Sequence, residues 1–80
     1  MRLPRDVSGT DLAGRLVRLG YEITRQTGSH IRLTTQRDGE HHVTIPAHDA
    51  IRVGTLAAIL RDPCAHHDLT REALLAELFS

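Results

Sequence analysis

Apolar positions recur at helical spacing near both ends of the chain and at strand spacing between them. Leu12, Leu16 and Leu19, flanked by Ala13 and Val17, form an i, i+4, i+7 stripe. Ser8-Gly9-Thr10-Asp11 ahead of it resembles a capping box with a shortened acid, and Gly20 behind it is free to take positive φ. The pattern predicts a helix starting after Ser8 and stopping at Gly20, with Arg15 and Arg18 on its outer side. Residues 21–27 read as a strand with Tyr21, Ile23 and Arg25 on one face, ended by Gly28. Residues 29–36 read as a second strand, and 40 or 41 to 45 as a third.

The pairing of the last two strands follows from side-chain alternation. Ile31, Leu33, Val43 and Ile45 must share the buried face, because alternate residues of a strand point the same way. A two-residue turn at Asp38-Gly39 would set Leu33 opposite Thr44, apolar against polar. A three-residue loop of Arg37, Asp38 and Gly39 instead pairs Leu33 with Val43 and Ile31 with Ile45, with Gly39 in the left-handed position such loops require. The opposite face then carries His30, Arg32 and Thr34 beside His42 and Thr44, with His30 next to Pro46.

Val53, Leu56, Ile59 and Leu60 space as a second helix, expected to stop at Asp62-Pro63 because proline lacks an amide N–H. Residues 64–69 read as a connector. Thr70 caps a third helix whose stripe is Leu74, Leu75, Leu78 and Phe79. The expected fold class is α+β: α-β-β-β-α with a three-stranded antiparallel sheet and an extra C-terminal helix. Residues 1–80 form one domain, with a core of about 8–61 and a helical extension of about 70–79. Helices on one side leave the other sheet face open.

Composition narrows the chemistry. A domain of 80 residues buries only roughly 60 % of its unfolded surface and gains from association, so a second copy of the chain is a candidate partner. Ten basic residues, all arginine, balance ten acidic ones. Net charge therefore gives no argument for a polyanionic partner, and any basic surface must come from segregation. Before residue 40, Arg2, Arg5, Arg15, Arg18, Arg25, Arg32 and Arg37 outnumber Asp6, Asp11, Glu22 and Asp38. Arg15, Arg18, Arg25 and Arg32 are expected to converge near His30. The single cysteine, Cys64, excludes an internal disulfide and reads as a small buried hydrophobe in a reducing cytoplasm. No apolar run approaches the length of a membrane span, and no apolar leader opens the chain.

His30 is the sharpest candidate for chemistry. Its ordinary pKa near 6.5 suits removal of a proton from a ribose 2′-hydroxyl, whose oxygen could then attack the adjacent phosphorus without a metal. Arg25 or Arg32 would stabilise the phosphoryl charge, and Gly28 would let backbone approach closely. The plainer reading of His30 is an exposed strand residue with no role. His48, in the turn after Pro46, reads as a second acid, a phosphate contact or a structural hydrogen-bonder. His41 and His42 point to opposite faces and cannot chelate one ion together; His66 and His67 lie in the expected connector. No metal or cofactor site is expected. Gly54-Thr55-Leu56 reads as a helix start with Leu56 in the core.

Taken in order, the capped helix ending Leu19-Gly20-Tyr21, then Gly28-Ser29-His30, Pro46-Ala47-His48, and residues 54–60 (Gly-Thr-Leu-Ala-Ala-Ile-Leu) resemble the HicA toxin family over roughly residues 8–61. The resemblance implies a double-stranded-RNA-binding-domain-like fold. It also implies an mRNA interferase of a type II toxin–antitoxin system, an endoribonuclease that blocks translation and is neutralised by a HicB antitoxin. His30 would then be the catalytic residue, and Gly28, Ser29, Arg25, Arg32, His42 and His48 the RNA- or phosphate-contacting ones. Toxins of that family tend to be basic and lysine-rich, whereas this chain is neutral and has no lysine. The alternative is a non-catalytic RNA-binding module, or an inactive homologue acting mainly through its antitoxin.

Overall fold

The computed structural model describes residues 3–79; Arg2, counted above, lies outside them. Helix α1 spans Gly9–Leu16, and its end tightens into a 3-10 turn over Val17–Leu19. Strands β1 (Glu22–Thr27), β2 (His30–Thr35) and β3 (His41–Pro46) follow, then α2 (Val53–His67) and α3 (Arg71–Phe79). The Ser8 hydroxyl accepts the Asp11 N–H at 2.9 Å, and Gly20 closes the turn at φ 83°, as the capping pattern demanded. The strands form one antiparallel sheet in the order β1-β2-β3. The fold is therefore the expected α+β arrangement with an open three-stranded sheet.

The β2–β3 register is the one derived from alternation: Leu33 faces Val43, and Ile31 faces Ile45. These four side chains are buried against Leu12 and Leu16 of α1 and Leu56 and Leu60 of α2. The turn differs in detail. Both Asp38 and Gly39 take positive φ, at 60° and 100°, where one left-handed residue was expected.

Helix α2 does not stop at Asp62-Pro63. It runs four residues further, to His67, with Pro63 inside it and buried. A proline there removes one helical hydrogen bond and costs about 3 kcal/mol, so the extra turn must be held by tertiary contacts. The last-turn histidines supply them. His66 Nε2–H donates to the Arg37 and Gly39 carbonyls, each at 3.0 Å. His67 Nδ1 lies 3.0 Å from the Asp38 carboxylate, and its Nε2 lies 3.2 Å from the Tyr21 hydroxyl. That hydroxyl is also 2.7 Å from His41 Nδ1. One proton arrangement satisfies the chain: His41 Nδ1–H donates to Tyr21, Tyr21 to His67, and His67 to Asp38. His41 also stacks on His66, centroids 4.3 Å apart. Asp68 then ends the helix in the left-handed region (φ 53°), and the Leu69 N–H reaches the Cys64 carbonyl at 2.9 Å, a Schellman closure made without glycine. The expected connector over 64–69 is thus mostly helix, clamped onto the β2–β3 turn.

Helix α3 docks on α1. Arg15 donates to the Leu78 carbonyl at 2.9 Å and lies 4.5 Å over the Phe79 ring. Arg18 contacts the Glu77 and Leu78 carbonyls at 3.4 Å. Two guanidiniums thus satisfy carbonyls at the negative end of a helix. Leu74, Leu75 and Leu78 fill the gap beneath. Arg15 and Arg18 consequently do not converge on His30, as the sequence suggested; they lie on the helical side of the sheet.

Two outcomes follow. Gly9 gives its N–H to the His48 carbonyl at 2.9 Å, and a Cβ on Gly9 would collide with the Pro46 carbonyl. Gly9→Ala should cost about 1–3 kcal/mol of stability and lower Tm by roughly 5–20 °C, read by thermal melting. Burial, and then the neighbouring His66, hold the His41 imidazole below its ordinary 6.5. The unfolded chain therefore takes up a proton that native His41 resists, so this contribution is complete above about pH 6.5 and declines as pH falls below it. The bond from His67 holds the Asp38 carboxyl below its ordinary 3.8, and that contribution is lost at still lower pH. Urea midpoints of the wild type should fall between about pH 7 and pH 5, and fall less steeply in His41→Gln; equal slopes would exclude His41 as the source.

Candidate functional site

The same register that buries Ile31 and Leu33 fixes the other face. His30 pairs with Pro46, Arg32 with Thr44, and Thr34 with His42. His30, Arg32, Thr44 and His42 are exposed and Thr34 is half-buried. Among the described residues no helix covers this side; α1 and α2 pack on the other.

Strand β1 contributes through an irregularity. Its register shifts between Ile23 and Arg25, leaving Thr24 as an extra residue. Before the bulge, Glu22 pairs with Thr34 and Ile23 with Leu33; after it, Arg25 pairs with Arg32 and Thr27 with His30. Unbroken alternation would put Arg25 on the helical side with Tyr21 and Ile23, as the sequence pattern suggested. The bulge reverses the parity and turns Arg25 onto the open face. The Thr24 hydroxyl holds the irregularity, donating to the Arg32 carbonyl at 3.4 Å and meeting the Thr34 hydroxyl at 3.0 Å. Ile23 keeps its helical-side position but stays 50 % exposed, on an edge strand beyond the cover of α1.

Arg25 and Arg32 are therefore direct cross-strand neighbours of like charge. Neither forms a salt bridge among the described residues. Like charges so placed repel, and an anion between them would reverse the sign of that interaction. His30 lies two residues along β2 from Arg32, on the same face. Gly28 and Ser29 form the two-residue turn leading to it. The Ser29 hydroxyl meets His30 Nδ1 at 3.0 Å, and the Ser29 carbonyl accepts the Ala47 N–H at 2.8 Å, tying the turn to the end of β3. Gly28 does not take positive φ, and a Cβ there would meet nothing within 4 Å. Its backbone is open to a ligand.

The remaining candidates are placed differently. His42 shares the face, but Thr34, its cross-strand partner, is four residues along β2 from His30. That is about 13 Å of strand, so His42 and His30 cannot act on one phosphate. His42 belongs instead to a hydrogen-bonded row: Thr24, Thr34, then His42 Nδ1 at 2.8 Å, and Glu40 at 3.0 Å from His42 Nε2. Thr24, Glu40 and the facing Glu22 were missed as face residues. By alternation Glu40 shares a side with His42, and Glu22 and Thr24 fall opposite Tyr21 and Ile23; the signal was present, but these residues were not singled out. His48 is exposed, and its backbone carbonyl is what α1 uses. His41, His66 and His67 lie in the structural clamp. Among the described residues no group of three or more His, Cys, Asp or Glu is placed to hold a metal ion. The half-buried Cys64 thiol is pushed up by burial.

Comparison with known proteins adds one match. The family model described as HicA toxin of bacterial toxin-antitoxin matches residues 9–62, the segment from the start of α1 into α2. No curated protein and no solved structure matches the chain.

The opposed arginines give a prediction of unusual sign. Arg32→Gln removes a like-charge pair worth about 0.2–1 kcal/mol, so it should raise Tm by a few degrees at low ionic strength. The gain should shrink at high salt, where surface charges are screened. A drop in Tm at low salt would show that the pair is not repulsive.

Proposed function

Because the chain belongs to the HicA family of toxins from bacterial toxin–antitoxin pairs, we propose that it is an mRNA interferase whose open sheet face binds and cuts RNA, with His30 as general base. The observation that supports this most is the meeting of His30 with the opposed Arg25 and Arg32 on one exposed face. A neutral chain needs its positive charge concentrated where a phosphodiester lies, and the bulge does this with two arginines. The acidic Glu22 and Glu40 fall at the other end of the face.

The chemistry follows from the tautomer. If His30 Nδ1–H donates to the Ser29 hydroxyl, Nε2 keeps its lone pair and faces solvent. Nε2 then takes the proton of a ribose 2′-hydroxyl. The 2′-oxygen attacks the adjacent phosphorus, a bond to phosphorus forms, and the bond to the 5′-oxygen breaks. The leaving oxygen takes a proton from solvent or from the His30 imidazolium. Arg25 and Arg32 stabilise the charge on the non-bridging oxygens. Ser29 is a positioning residue in this scheme, and Gly28 leaves room for the backbone of the substrate. His48 stands beyond Pro46 as a further phosphate contact. A HicB antitoxin would neutralise the toxin by denying RNA this face.

The neutral net charge favours one other reading, an RNA-binding module without cleavage. A cleavage assay on purified wild type and His30→Ala, with and without chelator, separates them. Loss of the general base should slow cleavage by about 10²–10⁴-fold, abolish growth arrest on induced expression and leave Tm unchanged, with chelator having no effect. Equal cleavage by the variant would remove His30 from the mechanism. Binding of RNA by the wild type without any cleavage would select the second reading.

A further inference from the structure

At the end of the open face away from His30, a pocket of about 310 Å³ lies between the start of β1 and the end of β2. Glu22, Thr24, Thr34, Gln36 and Arg37 line it, with Gly20 at its edge. We propose that this pocket is a guanine-binding subsite, which reads a base of the RNA at a distance from the bond being cut. The inference rests on RNA being the ligand of the face.

Three observations carry it. The first is the donor set. Glu22 and Arg37 are opposite charges lining one small pocket, yet they form no ion pair with each other among the described residues. A ligand that bridges them must offer hydrogen-bond donors on one edge and acceptors on another. Guanine does so: its N1–H and N2–H₂ edge suits a carboxylate, and its O6 and N7 suit a guanidinium. Adenine has no such paired donor edge for a carboxylate, and uracil has only one donor. The Gln36 amide, able to donate and accept, adds a contact of either kind.

The second observation is that one wall is already set. Thr24 and Thr34 are bonded to each other, Thr34 to His42, and His42 to Glu40. This row spans all three strands, so the pocket wall does not have to be ordered when a base enters. The third is distance. Thr34 lies four residues along β2 from His30, about 13 Å. A base held there belongs to a nucleotide other than the one attacked, so the subsite selects sequence without taking part in the chemistry. Bases of single-stranded RNA are free to be read in this way, on edges that a duplex hides.

The test separates this subsite from the cleavage reaction. ¹⁵N-labelled His30→Ala protein is titrated in turn with the 5′-monophosphates of guanosine, adenosine, cytidine and uridine, following the amides of Thr34, Gln36 and Arg37. All four share the phosphate that Arg25 and Arg32 would bind, so differences among them report the base. The guanosine nucleotide should bind about tenfold more tightly than the others. Glu22→Gln and Arg37→Gln should each erase that preference while leaving the response to the other three unchanged. Equal binding of all four, or a guanosine preference that survives both substitutions, would overturn the proposal. Because the titrated protein lacks His30, the result does not depend on whether the wild type cuts RNA.

Discussion

A strand has two sides, and burying one of them dictates what the other presents. Ile31, Leu33, Val43 and Ile45 are all driven from water onto the helices, and a slip of one residue would expose the whole set. That one constraint places His30, Arg32 and Thr34 on the open face beside Thr44 and His42. The bulge at Thr24 then breaks the alternation once, on the edge strand. The cost is a lost ladder position. The consequence is a second guanidinium beside the first, at the end of the face that also holds His30.

The helical side serves the same end by different means. Gly9 lets α1 come close enough to the end of β3 to bond with His48, which keeps the Pro46–His48 segment against the Gly28-Ser29 turn. Arg15 and Arg18 are spent on the end of α3, and His66 and His67 on the β2–β3 turn. These four polar side chains are thus structural. Among the described residues no buried side-chain nitrogen or oxygen is left without a partner. The charge available for a substrate is correspondingly small, which makes the position of each remaining arginine matter more.

What could be read beforehand follows local periodicity. Both ends of α1, the β2–β3 register and the outward direction of His30 come from spacing, capping chemistry and alternation. The errors have physical causes too. Pro63 stops a helix on propensity alone, but three polar groups on a turn distant in sequence, together with the Tyr21 hydroxyl, hold the next turn in place. The orientation of Arg25 depends on an extra residue in a strand, which no period of two can show. The pocket formed by Glu22 and Arg37 joins residues from opposite ends of a hairpin and had no linear signature.

In the proposed reaction the 2′-oxygen of the RNA, freed of its proton by His30, is the nucleophile at a phosphate held between Arg25 and Arg32, two residues that face each other across β1 and β2. The ends of the cleaved fragments report this directly. Mass spectrometry of a short RNA cut by the purified protein should find 2′,3′-cyclic phosphate on one fragment and a free 5′-hydroxyl on the other. Fragments ending in a 3′-hydroxyl and a 5′-phosphate would mean that water, not the 2′-oxygen, attacks, and would contradict the account.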